Sequence, residues 1–293
     1  MDLAQGQDIA QGGGKPNLLR IVQESPDIPE SVKYYWGYQF GVGEKVIVPY
    51  LQKCGYFQAG MAVAEVGCGE AGGLMAFGLA GAGRLLGTDI EGPRLAMGRQ
   101  IAHKGGIAVE LRLHNILTDP IPAEWQGQFD IVLLRDVLEH LENPQLALEN
   151  IGRLLRPKGM LYINFPAYPS PYGGHQHLLR NVWGKLPFIH LLPEKYFKPI
   201  AETGSDYIRE ELLKLHRIRL SLPQMPRIAQ QAGYKIVSER HYFLRPVYRF
   251  KWKVPLPVVP ITFIARRMPR LAQYFCMEAG YILQWQRGAE ETA

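Results

Sequence analysis

The run that decides the fold is Met61–Gly73, MAVAEVGCGEAGG. It opens as a short apolar strand and passes directly into glycines at 67, 69, 72 and 73. Glycine carries no steric penalty where a strand turns sharply into a helix, and it lets the backbone approach a ligand closely. Just outward, RLLGTDI (84–90) reads as a second strand ending in Asp89, 20 residues after Gly69. In a doubly wound sheet a carboxylate there reaches the crevice above the first turn and can hold both hydroxyls of a ribose.

The same alternation extends in both directions. Residues 31–57, SVKYYWGYQFGVGEKVIVPYLQKCGYF, read as an aromatic-rich helical entry. GGLMAFGLAGAG and EGPRLAMGRQIAHKGG are helical, VELRLHNI and FDIVLLRDVL are the third and fourth strands, and ENPQLALENIGRLLRPKG is a helix ending at Gly159 before the fifth strand, MLYINFP. Strands alternating with helices of this length predict an α/β fold: a doubly wound, Rossmann-like, mostly parallel seven-stranded sheet with helices on both faces. The alternation stops near Ala167. Residues 167–220, with the charged helix AETGSDYIREELLKLHRIRL, read as a lid insertion after the fifth strand. LPQMPRIAQQAGY and KIVSERHYFL resume the pattern, residues 245–277 form a second insertion after the sixth strand, and EAGYILQWQ is the last strand. The expected division is a flexible leader (1–30) and a single domain (31–293) whose cofactor-binding core covers about 58–166.

Composition narrows the class. The chain has 293 residues, 47% of them hydrophobic and 20% charged, which describes a globular protein. A net charge of +6 permits an anionic partner without requiring one. Cys54, Cys68 and Cys276 are too scattered for a disulfide framework or a zinc site, so a reducing, cytoplasmic setting is expected. The strongest apolar run, VPLPVVPITFIA (254–265), holds three prolines and falls short of the roughly 20 residues a spanning helix needs. Peripheral attachment to a membrane is the most that it allows.

Two details discriminate among adenosine-containing cofactors. Glu65 lies at the strand end, two residues before the first glycine, where a negative charge suits a cationic amino group and sulfonium better than a pyrophosphate. The fourth strand runs into Asp136-Val137-Leu138-Glu139-His140-Leu141. With EVGCG, GTDI, FDIVLLRDVLEHL and LLRPKGMLYINFP, the stretch from Ala62 to Pro166 resembles the class I S-adenosylmethionine-dependent methyltransferase family, especially its ubiquinone-pathway-like small-molecule O-methyltransferase branch. The resemblance implies that Glu65, Gly67 and Gly69, with Cys68 between them, line the methionine part of S-adenosylmethionine. It further implies that Asp89 binds the ribose, Ile90 packs on the adenine, and Asn115 meets the adenine amino group. Arg135 and Asp136 would border the sulfonium and the acceptor. Ala71 departs from the family, which often has a third glycine there.

The sulfonium is already activated, so the protein's task is alignment, worth roughly 7–11 kcal/mol. An oxygen acceptor also needs a base within hydrogen-bond reach. His140, expected to open the helix after the fourth strand, leads as that base, with an orienting role as its equal alternative. The loop Pro169–His177, PSPYGGHQH, follows the fifth strand and offers His175 and His177 as further bases, and Ser170, Tyr172 and Gln176 as substrate contacts. No acidic or cysteine partner completes a metal spacing, so no metal is expected. Arg245–Lys253, RPVYRFKWK, interleaves basic and aromatic residues. The segment 248–267 is therefore a candidate for weak contact with an anionic membrane surface. The acceptor is expected to be a small molecule: a phenol or quinone precursor, a sugar, or a lipid-linked compound. A nicotinamide-dependent oxidoreductase and a catalytically silent scaffold of the same fold are the competing classes. Methylation of nucleic acid is a minor one, because the fourth strand ends in RDVLEH rather than an Asn/Asp-Pro-Pro-aromatic run. Oligomeric state is not legible.

Overall fold

The computed structural model describes residues 17–251 and 256–286. Its strands are β1 (Ala62–Val66), β2 (Arg84–Asp89), β3 (Glu110–Leu113), β4 (Phe129–Arg135), β5 (Leu155–Phe165), β6 (Tyr234–Leu244), β7 (Val259–Pro260) and β8 (Glu278–Trp285). They form one sheet in the order β3-β2-β1-β4-β5-β8-β6-β7. The first five are parallel, and β8 runs antiparallel between β5 and β6. Against the seven strands expected, the eighth is the two-residue β7 on the outer edge. Pro260 is tolerated there because an edge position need not donate a ladder hydrogen bond.

Every residue of β1 is buried, as a parallel strand covered on both faces requires. Its alternation sorts the two cores. Val63 faces a layer with Trp36, Phe40, Leu74 and Leu133, whereas Ala64 and Val66 face Leu134, Leu148, Ile163 and Met225. The first layer is carried by α1 (Leu18–Glu24), α2 (Glu30–Val42), a π turn (Gly43–Ile47), α3 (Val48–Lys53), α4 (Gly72–Leu79) and α5 (Gly92–Gly105). The second includes α6 (Pro144–Leu154). After β5 come α7 (Val182–Lys185), α8 (Glu194–Ala201) and α9 (Asp206–Ile218), then α10 (Met225–Gln231), which joins the second layer. The stretch between β6 and β8 holds α11 (Tyr248–Lys251), α12 (Thr262–Arg267) and α13 (Pro269–Ala272).

Three sequence expectations change. Within the stretch expected as a flexible leader, α1 packs Leu18 and Val22 into the first core, while residues 1–16 lie outside the described residues. The helix expected to reach Gly159 stops at Leu154, because Pro157 biases Arg156 to extended backbone and β5 starts at Leu155. The charged helix expected over residues 201–220 is only the second of two helices: α8 ends at Ala201, where the expected helix begins, and α9 starts at Asp206. Ser205 starts the second by accepting a hydrogen bond from the Ile208 amide.

Candidate functional site

The turn after β1 takes the shape its glycines allow. Gly67 and Gly69 have φ of +69° and +56°. A Cβ at Gly67 would lie 2.4 Å from Val137 Cγ2, so that position also lets the segment after β4 close over the turn. Ala71, which stands where the resemblance expects glycine, adopts φ +59°, a conformation that costs an L-residue about 1–2 kcal/mol. Asp89 Oδ2 accepts from the Gly69 amide at 2.7 Å and Oδ1 from the Glu91 amide at 2.9 Å. Each oxygen keeps lone pairs for a further donor. Ile90, 66% exposed, follows directly at the strand end. Asn115 Oδ1 accepts from the Leu117 amide, which leaves the side-chain amide hydrogens unspent among the described residues. The Cys68 thiol is buried and pushed well up by that burial. Sequence reasoning missed Arg94, which makes a two-pronged pair with Glu70 (2.8 and 2.7 Å), lies against Gly69, and stacks on Tyr35.

Glu65 has a partner within the protein that the sequence did not show. Arg135, buried at the end of β4, donates Nε to Glu65 Oε1 at 2.7 Å and Nη1 to Gln39 Oε1 at 3.0 Å. Burial pushes the Glu65 carboxyl up, against the pull of Arg135. Glu65 Oε2 is buried and has no partner, so one acceptor remains at the mouth of β1. That orphaned oxygen and the unspent lone pairs of Asp89 fit an adenosyl cofactor carrying a cationic amino group.

Asp136 also has an unforeseen partner. Its φ is +51°, and Arg245, the residue after β6, grips both of its oxygens at 2.9 and 3.0 Å. Arg245 Nε also lies 2.8 Å from Glu278 Oε2 at the start of β8. Arg245 stands in the basic-aromatic stretch, but in the fold it is an internal clamp. The residues after it pack inward too. Tyr34 donates to the Lys251 carbonyl at 2.6 Å, and the Phe250 ring presses against Gly41 of α2. Trp252 and Lys253 lie outside the described residues.

The histidines converge. His140 sits in a 3-10 turn (Leu138–His140), not at a helix start. Its Nδ1 pairs with Glu211 of α9, and its Nε2 lies 3.6 Å from Glu139 Oε1. Both Glu139 oxygens are buried without a hydrogen-bond partner, and burial lifts this carboxyl to about 7. Burial alone would lower His140, but Glu139 and Glu211 outweigh it and raise the ring. The His175 ring lies 5.0 Å from that of His140 and 5.7 Å from that of His177. Burial, reinforced by His140 and His177, holds His175 well below the usual imidazole range. One ligand atom each from Glu139, His140 and His175 fall within 4.8 Å of one another, a spacing that a cation can bridge. The sequence hid this group because its members come from two segments 35 residues apart.

The loop after β5 spends some of its polar groups on nearby backbone, while Ser170 Oγ and Gln176 Oε1 are buried without a hydrogen-bond partner. Ser170 and Gln176 are fully buried, and Gln176 Nε2 donates to the Pro171 and Leu186 carbonyls. Tyr172 donates to the Lys185 carbonyl. These three shape the loop, and as built Ser170 and Gln176 are closed to an acceptor. The loop's two glycines answer to close packing: a Cβ at Gly173 would fall 2.1 Å from the Ala167 carbonyl oxygen.

Residues 64–163 match the family model described as a methyltransferase domain. Over 155 residues the chain is 33% identical to a ubiquinone biosynthesis O-methyltransferase of Pseudomonas paraeruginosa, covering 50% of this chain and 62% of that protein. It is 30% identical over 128 residues to the protein of the same name from Aromatoleum aromaticum, covering 42% and 53%. The chain thus spans less than two thirds of these relatives' length. Among solved structures, a putative sarcosine dimethylglycine methyltransferase from Galdieria sulphuraria superposes with a TM-score of 0.55 at 13% identity, covering 83% of this chain and 85% of that one. That likeness speaks to the fold alone. The residues matched, 64–163, are those that build the glycine turn after β1, the strand-end Asp89 and the segment after β4, and over them the chain is similar to methyltransferases.

Proposed function

We propose that the protein transfers the methyl group of S-adenosylmethionine to an oxygen of a small molecule: a phenol or quinone precursor, a sugar, or a lipid-linked acceptor. The observation that carries this reading is the pairing of a histidine kept neutral, His175, with the charged His140–Glu211 pair beside the end of β4. The bound cofactor supplies an activated methyl. The chain supplies the rest. Gly67, Gly69 and Asp89 seat the adenosyl end, Glu65 Oε2 offers an acceptor to the amino group, and His175 takes the acceptor's proton at a ring nitrogen. His140, held by Glu211, keeps positive charge next to the oxygen that becomes anionic. The names of the similar proteins support an oxygen acceptor. A nicotinamide cofactor fits less well, because its pyrophosphate would face Glu65.

A second reading is favoured by the two unpartnered oxygens of buried Glu139. In it Glu139, His140 and His175 hold a divalent cation, with Glu211 fixing the His140 ring as a carboxylate commonly fixes a metal-bound histidine. The cation would then lower the acceptor's pKa.

Titration calorimetry tests the cofactor, and transfer of labelled methyl into a fractionated cell extract tests the reaction. We expect S-adenosylmethionine and its demethylated product to bind and NAD to give no heat. Asp89→Ala removes charge-assisted hydrogen bonds worth about 1.5–3 kcal/mol each, so affinity should fall at least about tenfold. Unchanged affinity in that variant overturns the ribose assignment, and absence of any labelled product overturns methyl transfer.

A further inference from the structure

Helices α12 and α13 present the opposite of a normal amphipathic face. The side chains they bury are small: Ala265, Ala272 and, just beyond, Cys276. The large apolar ones point outward, with Phe263 71%, Met268 53%, and Leu271 and Phe275 each 49% exposed, alongside Ile264 and Tyr274. Six such residues between 263 and 275 form a contiguous stretch of the kind that marks an interaction surface. The charge there has one sign. From Arg240 to Met277 the sequence contains eight lysines and arginines and no acid. Arg266 is tied to Glu239, but Arg267 and Arg270 have no acidic partner among the described residues. The Arg267 guanidinium lies over the exposed Phe263 ring at 5.0 Å, which sets a positive charge directly beside the most exposed apolar side chain of the face.

We propose that this face, centred on Phe263, Arg267, Met268, Arg270 and Leu271, seats on the surface of an anionic lipid bilayer. Outward aromatic and aliphatic side chains flanked by arginines match the interface between headgroups and acyl chains. No helix among the described residues is long and apolar enough to cross a membrane, so the contact is superficial. A second copy of the chain fits worse. A two-fold contact would set Arg267 and Arg270 against their own counterparts, with no acid on the face to offset them. The face is also coupled to the candidate active site. The Ile261 amide donates to the His241 carbonyl of β6, and Arg245, which follows β6, holds Asp136. Docking would therefore bring the acceptor edge near the bilayer. This deepens the acceptor reading above, yet a chain that binds vesicles and not the cofactor would sink that reading and leave this one standing.

The test sediments the full chain at low salt with vesicles of phosphatidylcholine alone, or of equal parts phosphatidylcholine and phosphatidylglycerol. The chain should pellet only with the second, and less as salt rises. Removing two charges in R267Q/R270Q should lower partitioning about 25-fold, about fivefold per basic residue. F263S/L271S should also bind less, while both variants keep their circular dichroism and cofactor affinity. Equal recovery in the supernatant with both vesicle types, or unchanged partitioning in both variants, overturns the proposal. So does a lipid-free dimer in sedimentation velocity that F263S/L271S abolishes, because it would assign the face to a second copy.

Discussion

His175 and His140 are the same side chain under opposite constraints. His140 meets two carboxylates and is driven toward its charged form. His175, half-buried in a left-handed turn beside cationic groups, is driven toward neutrality, which leaves a ring nitrogen able to accept a proton. The function proposed above therefore makes His175 the base and His140, first expected in that role, its charged neighbour. His175→Gln should lower turnover by about 10²–10⁴, the usual worth of a general base, with cofactor affinity unchanged in calorimetry. Near-normal turnover would mean that alignment alone drives transfer. Preincubating the unaltered protein with EDTA separates the two readings of the cluster. Turnover that survives chelation favours the proton acceptor, and turnover lost to EDTA and restored by added Mg²⁺ or Mn²⁺ favours the cation. The tight turn at Gly67 and Gly69 and the strand-end place of Asp89 were legible in the sequence because both follow from local backbone shape and strand length. The partner of Glu65 was not, because Arg135 is 70 residues away and only strand pairing brings them together.

Between elements, the contact most exposed to mutation is that of α2 and the following π turn with α4. It is made by backbone against backbone. A Cβ at Gly72 would lie 2.8 Å from the Trp36 carbonyl oxygen and 3.2 Å from the Phe40 amide nitrogen, and one at Gly43 would lie 2.9 Å from Ala76 Cβ. Trp36 and Phe40, stacked at 4.9 Å, fix α2 at that distance by filling the first core. Gly72→Val should force the helices apart and cost about 1–3 kcal/mol, as overpacking does. Urea unfolding should show a lower midpoint with an unchanged slope. A midpoint within error of the parent would show that α2 yields without cost. The i,i+4 aromatic spacing of residues 34–40 made α2 legible as a packed helix. The start of α9 was also written locally, in Gly204 and the capping Ser205, but the polar residues before them were read as the helix's first turn. The two-residue β7 has no periodicity and arises only from pairing with β6.

Across the whole molecule, the part of the chain farthest from the glycine turn in sequence is locked onto the strand-end edge that the turn serves. Arg245 takes Asp136 from the end of β4 on one side and Glu278 from β8 on the other, and Asn164 of β5 stands within 3.5 Å of both acids. Sequence alone placed Arg245 in a basic-aromatic stretch and gave it no partner, because counting charge does not show which arginine is turned inward. Removing the guanidinium while keeping the stem, Arg245→Met, leaves two carboxylates crowded at one edge without a cation. That should cost about 3–5 kcal/mol, the scale of a buried ion pair broken on one side. Glu278→Gln relieves part of the same conflict, so R245M/E278Q should be less destabilised than the sum of its single variants. Groups in one network couple by about 0.5–3 kcal/mol in such a cycle. Denaturant titration of the four proteins measures the coupling directly. Strict additivity would mean that Arg245 and Glu278 act independently, and the segment after β6 would then need another anchor to hold it against Asp136.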